Sequence, residues 1–115
     1  MQKPHIATRA YQASGEARSL KSQEADVFYR TTGALRVAQT GNAITVVRAL
    51  ADNRQLWLTV VGLASDSTNA LPVTLRASLV SVGMAVQREM DRPSPDFSFL
   101  IAVNENIAAG LAGTP

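Results

Sequence analysis

The sequence predicts an all-α fold, a small antiparallel bundle of four main helices preceded by a short amino-terminal helix. Three observations predict it. Apolar residues recur at spacings of three and four along four long segments, the period of a helix with one buried face. Alanine is the commonest residue and aromatic residues make up only 5% of the chain, a balance that favours helices around an aliphatic core over a sheet. Clusters of Gly, Pro, Ser, Asn and Asp separate the segments, and no period-two alternation runs far enough to pair strands. At 115 residues the chain forms one domain, able to bury about two thirds of its unfolded surface around a single core.

Each element has its own start and stop. Pro4 opens the short helix, which runs to about residue 12 with Ile6, Ala7, Ala10 and Tyr11 on its apolar side. "ASGEARS" at 13–19 has a linker's composition, so residues 1–14 read as an arm and 19–111 as the bundle. Ser19 caps the next helix, with Val27, Phe28, Thr31, Leu35 and Ala38 in one stripe, and Gly41 ends it. Asn42 caps a third helix extending to about Ala64, with Val46, Leu50, Trp57, Val60, Val61 and Ala64 on its buried face. Spacing also lets Arg48 pair with Asp52 one turn on.

After the turn-forming "SDSTN", Leu71-Pro72 begins a fourth helix, because proline is tolerated only near a helix start. Leu75, Leu79, Val82, Val86 and Met90 form its stripe, and "DRPSP" breaks it. Ser94 with Pro95 starts the last helix, whose apolar side carries Phe97, Leu100, Ile101, Ile107, Ala108 and Leu111. Asn104 falls on that apolar side too.

The chemistry of catalysis is missing from this pattern. The chain has one histidine, His5, and no cysteine, so neither a metal site nor a nucleophile–base pair can be assembled from those residues. The aspartates lie in different elements near helix ends or on polar faces, and no glycine-rich phosphate loop is present. The expectation is a non-enzyme without cofactor or metal. Residues 1–48 carry seven Lys/Arg against three Asp/Glu and residues 49–115 four against six, yet the basic residues do not gather on one face. Direct nucleic-acid binding is therefore not expected. The amino terminus has no apolar leader and no stretch of 18 apolar residues occurs, so the expected location is cytoplasmic, away from the membrane.

One stretch raises a specific question. In "ALADNRQLWLTVV", 49–61, Asn53 lies between Leu50 and Trp57 on the face that should be buried. An unpaired buried amide costs about 1–3 kcal/mol, so Asn53 must have partners. In a structural reading it bonds backbone groups of a neighbouring turn such as "NALP", or Asn104 across the bundle. Arg54 then reaches a carboxylate or helix end, and Trp57 anchors the core with its N–H at the periphery. In a functional reading Asn53, Arg54 and Trp57 line a groove for a partner helix.

"AYQ" at 10–12, "ALADNRQLW" at 49–57, "NALPVTLRASLVSV" at 69–82 and "LIAVNENIAAGL" at 100–111 together resemble FlaF, a family of flagellar biosynthesis regulators of alphaproteobacteria. The resemblance covers nearly the whole chain. It departs where family members often carry a Trp-Val pair, here Ala85-Val86. It implies a small cytoplasmic protein that promotes flagellin synthesis and export, with flagellin as partner and a FlbT-like regulator of flagellin translation as a second. Such a protein needs adaptable apolar surface, which Leu79, Met84, Met90 and Leu100 could supply. The candidate partner contacts are Tyr11, Asn53, Arg54, Trp57, Leu79, Met84, Leu100 and Asn104.

Overall fold

The computed structural model describes residues 25–113, and the expected helix over 4–12, with Tyr11, lies outside them. Four helices account for nearly all of the described residues, which include no strand: α1 over 25–38, α2 (Ala43–Ser65), α3 (Val73–Met90) and α4 (Phe97–Gly113). The all-α expectation holds.

Local chemistry sets the boundaries. The last turn of α1 tightens as the Thr40 and Gly41 N–H groups bond the Val37 and Ala38 carbonyls, three residues back. A side chain at Gly41 would meet Thr45 at 3.0 Å and the Val37 carbonyl at 3.3 Å, so the reversal into α2 leaves little room for one. Asn42 then caps α2, its Oδ1 accepting from the Thr45 N–H at 2.9 Å.

Asp66 closes the other end of α2. Its carboxylate accepts from the Thr68 N–H at 2.9 Å and the Thr68 hydroxyl at 2.8 Å, and these bonds, aided by nearby Arg76, hold its pKa below the ordinary value. Asn69 donates to the Leu63 carbonyl and accepts from the Leu71 N–H, and Arg76 of α3 reaches back to the Asp66 carbonyl. Pro72 occupies the cap position of α3, where its missing N–H is no loss.

The start of α4 differs from the sequence expectation. Asp96, rather than Ser94, is the cap, accepting from the Phe99 N–H at 3.1 Å. Its own N–H donates to Glu89 of α3 at 2.9 Å. With that reciprocal arrangement satisfied across the turn, Pro95 falls before the cap instead of opening the helix.

Antiparallel α2 and α3 make the closest contact. A methyl group at Gly83 would overlap Val61 Cγ2, so the two backbones approach only because position 83 has no side chain. Phe28, Leu35 and Ala38 of α1, Ala49, Leu56 and Trp57 of α2, Val86 and Met90 of α3, and Leu100, Ile101 and Ala108 of α4 form one contiguous core. Phe28 meets the Trp57 ring edge-on, with centroids 5.9 Å apart at 86°.

Three stripes shift from their expected places. Val27 and Leu75 are exposed, while Thr32, Ala49 and Leu56 are buried. The Thr32 hydroxyl is satisfied by donating to the Phe28 carbonyl at 2.6 Å. Arg48 and Asp52 do not pair among the described residues; the ion pairs there are Arg36–Glu105, Arg54–Asp91 and Arg92–Glu89.

Candidate functional site

Asn53 bonds neither a turn nor a helix end; it belongs to a buried chain of side chains. The Trp57 indole Nε1–H donates to Asn104 Oδ1 at 2.8 Å, Asn104 Nδ2 donates to Asn53 Oδ1 at 2.7 Å, and Asn53 Nδ2 points at Met90 Sδ, 3.3 Å away. An indole can only donate and a thioether can only accept, so the two ends fix the orientation of both amides between them. Trp57, Asn53 and Asn104 are fully buried. The chain joins α2, α3 and α4, and Asn104 is the partner of Asn53 across the bundle. Trp57 Nε1–H is thus satisfied in the interior, not at the periphery, because Asn104 supplies an acceptor there.

Arg54 does the work expected of it at a helix end. Its Nη1 donates to Gln87 Oε1 at 2.9 Å and its Nη2 lies 2.9 Å from Asp91, which caps α3. The pair is half-exposed, so it positions α2 on α3 more than it stabilises them.

The sequence-derived candidates therefore do not form one surface. Asn53, Trp57, Leu100 and Asn104 are closed to a partner in this structure. Met84 is 55% exposed on α3. Among the seven described candidates, Leu79 alone lines a groove.

That groove, of about 610 Å³, is walled by α1 and α2, with Leu71 and Leu79 on one side and Ile107 of α4 on another. Val27, Phe28, Leu56, Val60 and Leu63 make it apolar, and Arg30, Asp52, Gln55, Thr59 and Asn69 give it a polar margin. The stripe of α2 is wide enough to serve two purposes. Its central residues enter the core, and Leu56 at the core's edge forms with Val60 and Leu63, at i, i+4 and i+7, a shoulder facing the groove. Leu63 remains 44% exposed and Val27 36%. The sequence reading missed this shoulder, although its spacing was visible.

No three His, Cys, Asp or Glu side chains among the described residues are placed to hold a metal. No helix among them is long and apolar enough to cross a membrane. The groove offers apolar contact with polar edges, which suits recognition of an amphipathic segment.

The sequence profile described as flagellar protein FlaF matches residues 7–111. The chain belongs to the FlaF family. The FlaF match takes in Tyr11, every helix that walls the groove and the whole buried polar chain. No curated protein and no solved structure matches this FlaF chain.

Proposed function

We propose that this FlaF chain is a cytoplasmic, non-enzymatic chaperone that holds flagellin before export and so promotes flagellin synthesis. Membership of a flagellar family gives the context. The observation that carries the reading is the open apolar groove beside α1 and α2, of about 610 Å³ and edged with hydrogen-bonding side chains. An export substrate with amphipathic terminal segments would present anchors at spacings of three and four, and the groove's lining can accept them while its rim sets their register.

A second surface favours a second partner. Met84 stands exposed on α3, outside the groove, and a FlbT-like regulator seated there would leave the groove free. In that alternative the protein acts on flagellin mRNA translation as an adaptor without holding flagellin.

The deciding experiment mixes the purified protein with monomeric flagellin, intact or truncated at either end, and measures complex mass by light scattering on a sizing column. A stoichiometric complex lost with one truncation is expected. Failure to form a complex at micromolar concentration, with binding to a FlbT-like protein instead, would favour the adaptor. RNA contact would reveal itself by a steep loss of affinity with salt, which apolar docking does not share.

A further inference from the structure

We propose that, before any partner binds, the groove is occupied by the chain's own residues 4–12, which then compete with the partner for it. This rests on reading the groove as a receptor for an amphipathic segment, as above. The supporting observations are the groove's position, its length and the sequence leading into it.

The groove lies where the described chain begins. Ala25 opens the described part of α1, and Val27, Phe28 and Thr31, within two turns of it, are groove wall. Twelve residues, 13–24, separate Ala25 from the segment, enough to span about 40 Å when extended, so the segment can return alongside α1. Along α2 the lining runs from Asp52 to Ala64, about 18 Å at 1.5 Å per residue. Residues 4–12 would cover about 13 Å of it as a helix.

The chemistry of the segment suits that site. Helical spacing aligns Ile6, Ala7, Ala10 and Tyr11 on one side, which matches the apolar floor made by Leu56, Val60 and Leu63. Residues 1–15 include Lys3 and Arg9 and no acidic residue. On the α2 margin of the groove Asp52 takes part in no ion pair among the described residues, and it offers a carboxylate to such a cation; Arg30 of α1 also lines the groove. The tethered segment meets the groove at an effective concentration that a free peptide reaches only in the millimolar range. Modest affinity is then sufficient for occupancy.

The test uses the full chain. Because the sequence has no cysteine, Thr59→Cys places a single spin label on the exposed groove margin. In isotope-labelled protein, the amide signals of residues 5–12 are expected to broaden. Those of the turn at 39–42, about 25 Å away along α2, should keep their intensity. Combining Ile6→Glu with Tyr11→Ser in the labelled chain should abolish the effect. Unbroadened signals from 5–12 would overturn the proposal. So would equally strong broadening in a mixture of spin-labelled chains without isotope and isotope-labelled chains without spin label, which would assign the groove to a second copy. No flagellin is present, so failure here leaves the chaperone reading standing. If the segment fills the groove about nine tenths of the time, the Ile6→Glu/Tyr11→Ser variant should bind a flagellin terminal peptide about tenfold more tightly. Unchanged or weaker affinity would refute the competition.

Discussion

Trp57 and Asn104 decide how much the interior of this protein depends on polar order. Burying two amides is unfavourable unless each finds partners, and here every bond in the chain is set by its neighbour. Replacing Trp57 by Phe keeps most of the ring but leaves Asn104 Oδ1 without its donor, an expected cost of about 1–3 kcal/mol. Asn104→Leu strands two groups, the indole N–H and Asn53 Oδ1, and should cost about 3 kcal/mol or more. Because both substitutions break the same bond, the double variant should be more stable than the sum of the singles by about 1–2 kcal/mol. Urea unfolding of the four proteins measures this coupling, and additive losses would show that the bond contributes nothing. Trp57→Ala removes ring packing as well and should cost about 3–5 kcal/mol. Much of this was legible in the sequence. That Asn53 needed partners followed from its place on the apolar face, and Asn104 was visible on another such face. Its bond to Trp57 was not, since side-chain donors buried on different helices are paired by the depth and rotation of those helices, which spacing does not give.

Helix α3 depends on a missing side chain. Gly83 is buried at the α2 crossing with Val61 and Trp57 against it. Two effects of Gly83→Ala oppose each other. Alanine is about 1 kcal/mol better than glycine inside a helix. Forcing a methyl into the space of Val61 costs about 1–3 kcal/mol, and the Trp57 ring behind it limits how far Val61 can turn. The net expectation is destabilisation by about 1 kcal/mol. If the cause is the clash, Val61→Ala in the same chain should make Gly83→Ala stabilising, by about 1 kcal/mol relative to Val61→Ala alone. Thermal unfolding of the pair would show this reversal of sign. A methyl group at Gly62, next to Val61 on the outer side of α2, would meet nothing among the described residues, so Gly62→Ala serves as the propensity control. At this scale the sequence was readable wherever a single residue carries the instruction, as Asn42 and Gly41 do. It was less so at α4, where the cap bond of Asp96 is completed by Glu89 from the preceding helix.

At the scale of the whole molecule, α1 is attached differently from the other three helices. The buried polar chain ties α2, α3 and α4, whereas among the described residues α1 is held by Phe28, Leu35 and Ala38 in the core and by one exposed ion pair, Arg36–Glu105. Exposed pairs are worth about 0–1 kcal/mol, so apolar packing fixes α1, and with it one wall of the groove. The groove itself was not legible from sequence, because it is the space left where the shoulder of α2 outruns the partners available to cover it. That gap depends on all four helices at once. Its consequence is a separation of stability from binding. Leu63 is 44% exposed at the groove and contributes little to the core, so Leu63→Glu should leave unfolding within about 0.5 kcal/mol of the parent. The same change puts a charge where an apolar partner face must be desolvated, and should weaken flagellin binding by about tenfold or more. Met84→Glu, more exposed still but outside the groove, should leave that affinity unchanged. Titration calorimetry of the two variants with flagellin distinguishes the surfaces. Loss of binding with Met84→Glu and not with Leu63→Glu would move the flagellin site from the groove to the outer face of α3.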